Sequence, residues 1–304
     1  MVETEKQFDK AVIPAAGLGT RLLSATKEQP KEMLPLFART EEGTLCLKPV
    51  IQLIFEQLFD LSIREFYFVV GREKRALEDH FTPEHGFIAD LNARGKDTHA
   101  MDLKRFYRRI EESTIVWVNQ PEPRGFGDAV LQVERLVGDE PFLVHAGDTL
   151  VVPTAGPSVA QRLFDGHTKS RADATLTIQE VEDPRQYGVA EVVERPNALL
   201  DVRRVAEKPD EPSSNLAIMP LYIFNPKIFR ALRSIAPGKG GELQLTDAIQ
   251  GLIDTKHSVK AIKLKQSDLR LDIGTPENYW QAIELSYRHA SAEQSHRGVG
   301  SLLA

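Results

Sequence analysis

The sequence is poor in cysteine and in long apolar runs, and its charge is only weakly biased. Cys46 is the only cysteine among 304 residues, which excludes an internal disulfide and predicts a reducing, cytoplasmic location. No stretch approaches the roughly 20 apolar residues that span a bilayer, and the charged start lacks a signal-peptide core, so no membrane partner is expected. The net charge of −6 gives no basic field and argues against a nucleic-acid partner.

An apolar run followed by small residues stands near the N-terminus. Residues 11–13 (Ala-Val-Ile) predict a buried parallel strand, which leads into the turn A-A-G-L-G-T at 15–20. Its glycines let the backbone approach a phosphate chain closely, and successive amide N–H groups in such a turn form an anion-binding nest. Arg21 and Lys31 add positive charge nearby. The segment therefore predicts a nucleoside triphosphate site with local cations.

Two other phosphate-binding patterns do not fit this turn. The dinucleotide fingerprint needs a third glycine where Leu22 stands, and the Walker A loop needs Gly-Lys where Gly19 is followed by Thr20. A glycine turn that only ends a strand remains the alternative for the G-x-G pair taken alone. The extended pattern G-x-G-T-R-(x)9-K-E-M-L-P favours the nucleotide site.

Strand-like and helix-like segments alternate through the first half of the chain. The predicted strands are 10–14, 65–70, 114–118 and 141–146, and the predicted helices are 49–60, 73–81 and 127–137. This alternation predicts right-handed βαβ units whose ligands bind beyond the carboxyl ends of the strands.

Extended segments dominate the second half of the chain. The predicted strands are 172–181, 187–194, 199–207 and 216–224, followed by helices near 226–235, 246–254 and 276–290. Thr246 is the predicted N-cap of its helix, and the polar tail 291–304 is expected to be flexible. We predict an α/β fold, Rossmann-like, in three α/β/α layers around a mixed, mainly parallel central sheet.

Nine short segments together carry a family resemblance. They are AAGLGTR, PKEMLPL, KPVIQ, NQPEPRGFGDAV, HAGD, YGVAE, VAEKP, SNLAI and GGELQLTDAI, in order between residue 10 and about residue 285. With these segments the chain resembles the prokaryotic UTP–glucose-1-phosphate uridylyltransferases, within the sugar-phosphate nucleotidyltransferases. The resemblance implies the nucleotidyltransferase fold and the reaction of UTP with glucose 1-phosphate to UDP-glucose and pyrophosphate. It also implies Mg2+ as cofactor and a homo-oligomer, dimer or tetramer.

The resemblance also implies an organisation and a set of site residues. Residues 1–290 are expected to form one nucleotidyltransferase domain, with a nucleotide-binding half at 1–150 and a sugar-phosphate-binding half at 151–290. The implied nucleotide-binding residues are Ala15, Ala16, Gly17, Gly19, Arg21, Lys31, Gln120 and Gly125. The implied sugar-phosphate-binding residues are Gly188, Glu207 and Lys208, the metal-binding residues are Asp148 and Asp272, and the catalytic residues are Arg21, Lys31 and Asp148.

Some positions depart from the pattern of the bacterial relatives. Asp128 stands where histidine is usual, and Thr149 stands where many relatives have an acidic residue. Met219–Pro220 follows SNLAI, and the loop 37–48 is long, so that a lid or subunit contact there can differ. Glu242 has no assigned role. The sequence leaves open a dTTP-dependent enzyme, another sugar 1-phosphate, and a non-catalytic paralogue.

Overall fold

The structure, a computed structural model, describes residues 8–194 and 199–300, with side chains as far as residue 292. Its strands are β1 (Lys10–Pro14), β2 (Pro35–Arg39), β3 (Leu45–Pro49), β4 (Glu65–Val70), β5 (Thr114–Asn119), β6 (Phe142–His145), β7 (Thr149–Val152), β8 (Ala174–Glu180), β9 (Gly188–Val193), β10 (Leu200–Glu207), β11 (Leu216–Phe224), β12 (Val259–Lys263) and β13 (Leu269–Asp272). Its helices are α1 (Val50–Phe59), α2 (Arg75–His80), α3 (His85–Ala93), α4 (Asp97–Glu111), α5 (Phe126–Leu131), α6 (Glu134–Val137), α7 (Val159–Ser170), α8 (Lys227–Ser234), α9 (Leu245–Asp254) and α10 (Pro276–Gly300). No helix in these ranges combines the length and the apolar character needed to cross a bilayer.

A sheet of nine described strands runs through both halves of the chain, in the order β5-β4-β1-β6-β11-β8-β12-β10-β9. The four strands of the N-terminal half are parallel, with Val12 of β1 opposite Tyr67 of β4 and Ala11 opposite Leu143 of β6. Continuous apolar strands such as β1 are typical of a parallel sheet that is covered on both faces. The predicted βαβ organisation of this half is confirmed.

The C-terminal half of the sheet is mostly antiparallel. Strand β11 pairs antiparallel with β6, β8 and β9, whereas β12 is parallel to β8. Six residues separate β9 from β10, and so short a connection permits antiparallel pairing only. The mixed sheet is confirmed, but antiparallel pairings outnumber parallel ones five to four among the described residues. The parallel majority therefore holds for the N-terminal half only.

Helices cover both faces of the sheet. Successive side chains of a strand point to opposite faces, and accordingly Ala11 and Ile13 belong to one buried cluster and Val12 to the other. The first cluster takes in apolar residues of α1, α2, α4, α7 and α10, and the second takes in residues of α5, α6, α8 and α9. This arrangement is the predicted three-layer α/β/α fold.

The expectation of a long loop at 37–48 is wrong. Strands β2 and β3 pair antiparallel as a separate hairpin, with Leu36 opposite Lys48. Two short apolar runs, at 36–38 and 45–47, flank a polar turn that contains Gly43, and this pattern favours such a hairpin. It packs on α10, where the ring of Phe37 lies 5.1 Å from that of Tyr287.

The C-terminal tail is helical over the part that the structure describes. Residues 291–300 continue helix α10, and the flexibility expected for the tail stays a prediction. Alanine is the strongest helix former, and Ala290 and Ala292 stand here with no glycine or proline before Gly298. Residues 301–304 of the predicted tail lie outside the described residues.

Candidate active site

A cavity of about 650 Å3 opens beyond the carboxyl ends of β1, β5 and β6. Its lining contains all but one of the predicted site residues, namely Ala16, Gly17, Gly19, Arg21, Lys31, Gln120, Gly125, Asp148, Gly188, Glu207, Lys208 and Asp272. The exception is Ala15, which is buried and donates its backbone N–H to the Val69 carbonyl at 2.8 Å. We call the lining residues between 14 and 149 the N-terminal wall and those between 186 and 278 the C-terminal wall.

The glycine turn lies next to Lys31 within the N-terminal wall. Gly19 has a left-handed backbone (φ 65°), and its carbonyl accepts a hydrogen bond from the Thr26 hydroxyl at 2.8 Å. A Cβ atom on Gly17 would lie 3.6 Å from Nζ of Lys31. Arg21 follows in a 3-10 turn and is exposed, with its guanidinium near Gly274 of the opposite wall. The glycine backbone of the turn therefore faces the cavity between the cations Arg21 and Lys31.

Lys31 forms a partly buried ion pair with Asp148, whose side chains are 14% and 22% exposed. Burial alone would lower the pKa of Lys31, but the carboxylates of Asp148 and Glu32 raise it above its usual value. Burial would likewise raise the pKa of Asp148, and the Lys31 ammonium holds it below its usual range. Both groups are therefore charged at neutral pH.

A second buried ion pair supports the first. Glu32 is 1% exposed and accepts a hydrogen bond from Nζ of Lys74 at 2.8 Å. Burial raises the pKa of Glu32, against the attraction of the two neighbouring lysines. Leaving one partner of such a pair unneutralised is costly, so the four charges fix one another's positions.

Asp148 and Asp272 are held together by backbone pairing. Strands β7 and β13 are antiparallel with Asp272 opposite Thr149, and the Ile273 N–H donates to the Asp148 carbonyl at 3.1 Å. The carboxylate of Asp272 accepts hydrogen bonds from Arg270 at 2.6 Å, from the Gly274 amide and from Asn278. Two paired strands thus place both predicted metal-binding carboxylates at one end of the cavity.

This pair of carboxylates fits a hard divalent cation. Asp148 Oδ1 accepts a long hydrogen bond of 3.4 Å from the Thr149 hydroxyl, and a carboxylate offers about four acceptor positions, so this group can take further partners. The described residues contain no group of three or more His, Cys, Asp or Glu side chains that could by itself hold a metal ion, so the remaining ligands would be water or substrate oxygens. Magnesium is commonly bound in this way, by one or two carboxylates and phosphate oxygens.

The charges that line the cavity nearly cancel. The described lining residues include four cations and five carboxylates: Arg21, Lys31, Lys208 and Arg270, and Glu32, Asp148, Glu207, Glu242 and Asp272. A polyphosphate in this cavity would add several negative charges. Its binding therefore calls for a further cation, which agrees with the pair of carboxylates described above.

Gln120 follows β5 and is 5% exposed, and its side chain is held by hydrogen bonds from its amide nitrogen. Its Nε2 donates to the Gly125 carbonyl at 3.1 Å and to Oδ2 of Asp128 at 2.7 Å. Gly125 has φ 104° and ψ 174°, a conformation restricted to glycine. A Cβ atom there would lie 2.7 Å from Cβ of Glu242, so the two walls touch at this point.

The C-terminal wall places Glu207 and Lys208 side by side. Neighbours in a strand point to opposite faces, but Lys208 has a left-handed backbone (φ 42°) directly after β10. Its Nζ lies 3.3 Å from Glu207 Oε1, and both residues line the cavity. The Thr246 hydroxyl donates to Glu207 Oε2 at 2.7 Å. The predicted N-cap role of Thr246 is wrong, because Gln244 precedes α9 and the hydroxyl contacts β10 instead.

Comparison with known proteins places this cavity in a family. A family model described as nucleotidyl transferase matches residues 10–287, which include every residue of both walls. The chain belongs to the nucleotidyl transferase family. It is 35% identical to the UTP–glucose-1-phosphate uridylyltransferase of Pseudomonas aeruginosa over 92% of this chain and 96% of that protein.

Solved structures give the same family. The chain superimposes on a UDP-glucose pyrophosphorylase in complex with UDP-glucose with TM-score 0.79 and 32% identity, over 92% of this chain and 99% of that one. It also superimposes on a UTP-bound enzyme from Acinetobacter baumannii with TM-score 0.79 and 28% identity, over 98% and 100% of the two chains. The nucleotidyltransferase fold is therefore shown by sequence and by structure.

This nucleotidyltransferase has cavity residues that the sequence reasoning did not identify. Arg270 holds Asp272 and lies 5.0 Å from the ring centroid of Tyr187, which also lines the cavity. Met219 and Pro220, which the sequence singled out as a departure near the expected sugar pocket, do line the cavity, at a register shift between β11 and β8. Only the position of Arg270, two residues before Asp272 on the same strand face, could have been noticed in the sequence.

Proposed function

We propose that this chain transfers a uridylyl group from UTP to glucose 1-phosphate and releases UDP-glucose and pyrophosphate. The observation that carries the proposal is a single cavity that contains three groups of residues. They are the cations proposed to bind phosphates, the paired carboxylates, and Glu207 with Lys208, which we call the acceptor clamp. The named relatives and the structures with UDP-glucose and UTP support the same substrates.

The reaction is an in-line displacement at the α-phosphorus. A phosphate oxygen of glucose 1-phosphate forms the new bond to that phosphorus. The bond from the α-phosphorus to the α–β bridging oxygen of UTP breaks, and that oxygen leaves as part of pyrophosphate. Because no covalent enzyme intermediate is needed, the protein's contribution is positioning and stabilisation of charge. Lys31 neutralises charge at the reacting phosphates, and the exposed Arg21 neutralises the departing pyrophosphate.

The acceptor and the base have their own contacts. Glu207 accepts hydrogen bonds from sugar hydroxyls, the Gly188 backbone contacts the sugar, and Lys208 binds its phosphate. Gln120 and Gly125 contact the pyrimidine, and the turn from Ala16 to Gly19 follows the nucleotide. The glycine at 188 suits this role, since a Cβ atom there would lie 2.8 Å from the Thr246 hydroxyl and 3.2 Å from Glu207.

Nucleotidyltransferases of this family generally use a divalent metal ion, and we assign Mg2+ to Asp148 and Asp272. The ion would supply positive charge to phosphate oxygens that the nearly neutral lining cannot neutralise. Asp272 is kept in place for this role by Arg270 and Asn278. Lys31 keeps the Asp148 carboxylate ionised.

A panel of substrates tests the proposal. Pyrophosphate release would be followed with UTP, dTTP, CTP and ATP, each paired with glucose, galactose or N-acetylglucosamine 1-phosphate, with and without Mg2+. We expect the highest kcat/KM for UTP with glucose 1-phosphate and no turnover without the metal. Equal or better turnover with dTTP would contradict uridylyl specificity. No turnover with any pair would favour a non-catalytic paralogue.

We also propose a cytoplasmic homo-oligomer. The single cysteine is compatible with a reducing compartment, and the proposed substrates are metabolites of the cell interior. Light scattering at working concentration should give a dimer or tetramer of the 34.0 kDa chain. A monomer over the whole accessible concentration range would contradict this proposal.

A further inference from the structure

The side-chain amide of Gln120 has only one orientation that its neighbours allow. Its terminal nitrogen faces the Gly125 carbonyl at 3.1 Å and the Asp128 carboxylate at 2.7 Å. A carbonyl and an ionised carboxylate can only accept hydrogen bonds, so the atom between them must be the NH2 group. Both amide protons are then used inside the protein.

The carbonyl oxygen of Gln120 remains for a ligand. No hydrogen bond to Oε1 occurs within the described residues, and Gln120 lines the cavity. The residue therefore offers a base an acceptor and no donor. Uracil has an N3–H donor that matches this acceptor, whereas N3 of cytosine is itself an acceptor and would face it with repulsion. A glutamine amide can in general both donate and accept hydrogen bonds, but here only the acceptor remains for a ligand.

We propose that Asp128 is a positioning residue that selects uracil over cytosine by fixing the Gln120 amide. The inference rests on the proposed function, in which Gln120 contacts the base. Asp128 is 9% exposed, lies in the first turn of α5 and does not line the cavity, so it acts through Gln120. A hydrogen bond to a charged acceptor is about twice as strong as a neutral one, so Asp128 holds the amide more firmly than Gly125 does.

Two substitutions at Asp128 separate this role from packing. Asp128→Leu keeps the approximate shape and removes the acceptor, whereas Asp128→Asn keeps an oxygen that can accept from Gln120. The kcat/KM values for UTP and CTP would be measured with saturating glucose 1-phosphate. We expect the UTP-to-CTP ratio to fall about 10-fold or more in Asp128→Leu and less than about 2-fold in Asp128→Asn. The KM for glucose 1-phosphate should not change in either variant.

Gln132→Leu is the matched control. Gln132 donates to the same Asp128 oxygen at 3.3 Å but is not a cavity residue. Its substitution perturbs the surroundings of Asp128 and leaves the contact with Gln120, so the UTP-to-CTP ratio should stay within about 2-fold of wild type.

Several outcomes would overturn the inference. An unchanged UTP-to-CTP ratio in Asp128→Leu would show that Asp128 does not orient Gln120. An equal fall of the ratio in Asp128→Asn would show that the acceptor kept in that variant is not what orients Gln120. If Asp128→Leu does not fold, N3-methyl-UTP with the wild-type enzyme decides, because it lacks the N3–H: turnover equal to that with UTP would contradict the acceptor role. If wild type releases no pyrophosphate from UTP, the proposed function fails, and the same ratio is judged from calorimetric affinities for UTP and CTP.

Discussion

The two walls of the cavity each contribute a lysine, and these lysines are held in different ways. In the N-terminal wall, Lys31 and Asp148 form a partly buried pair that rests on a second pair, Glu32 and Lys74. In the C-terminal wall, Lys208 is 46% exposed and has a left-handed backbone instead of a buried support. Mutual burial of charges therefore fixes Lys31, and local backbone conformation fixes Lys208.

Because of this difference, we expect substitutions of the two lysines to have different effects on activity and stability. A buried pair loses stability and activity together when one partner is removed, because the other partner is left uncompensated. An exposed cation on a turn can be removed with little cost to the fold. Substitution of Lys31 should therefore lower kcat and stability, and substitution of Lys208 should change binding of one substrate.

The largest effect is expected for Lys31→Met. The substitution removes the cation at the reacting phosphates and leaves Asp148 without its partner, so kcat should fall about 100- to 1,000-fold and the melting temperature should fall too. Steady-state kinetics and thermal unfolding measure the two effects. Lys27→Met is the control, since Lys27 is 75% exposed and pairs only with Glu28 among the described residues. A stable Lys31 variant would contradict the role of buried charge.

Asp148→Asn should have the next largest effect. It removes one of the two carboxylates assigned to Mg2+, so most activity at ordinary magnesium concentrations should be lost, about 100-fold in kcat, with partial recovery at high magnesium. Magnesium titrations of both enzymes measure this change. The control Asp165→Asn changes an aspartate that contacts Gln161 in α7 and should leave the titration unchanged. A near-normal kcat would remove Asp148 from the metal site.

Lys208→Ala should give a smaller and more selective effect. Loss of the ammonium should raise KM for glucose 1-phosphate about 10-fold or more, with UTP affinity and melting temperature nearly unchanged. Initial rates with each substrate varied in turn measure this selectivity. Lys227→Ala, which removes an exposed lysine paired with Asp173, is the control. An unchanged KM for the sugar phosphate would refute the assignment of Lys208.

Gly125→Ala tests the point where the two walls touch. The new Cβ would meet Glu242, so we expect a loss of about 2–3 kcal/mol in the free energy of unfolding and a weaker affinity for UTP. Gly156→Ala is the matched control, because Gly156 also has positive φ but no atom within 4 Å of the added Cβ. Gly156→Ala should lower the free energy of unfolding by about 1 kcal/mol. Urea unfolding measures both values, and equal losses would exclude the proposed clash.

Sequence patterns predicted the local features of both walls. Strands β1, β4 and β11 have the predicted bounds, because each is an apolar run with a clear end. The glycine turn, Arg21 and Lys31 all lie within one segment of the chain, residues 15–31. Local patterns are enough where the contacts are local, as they are between Gly17 and Lys31.

Other features depend on residues that are distant in the chain. Strands β7 and β13 were not predicted, since each has four residues and its partner lies more than 100 positions away. Thr246 has the sequence character of a helix cap, but its hydroxyl contacts Glu207 across the fold. The left-handed conformation of Lys208 has no sequence signal, because most residues with such a backbone are glycine or asparagine.

The backbone of Lys208 also matters for attempts to stabilise the protein. Among the described residues, Ser62, Glu73, Arg171, Lys208 and Lys256 are the non-glycine positions with positive φ. A glycine at each would relieve up to about 1 kcal/mol of conformational strain. Of these five, Lys208 alone lines the cavity, so a redesign that treated them alike would gain thermal tolerance and lose the sugar-phosphate contact proposed for Lys208. Selection for activity and selection for heat resistance therefore act in opposite directions at this one residue.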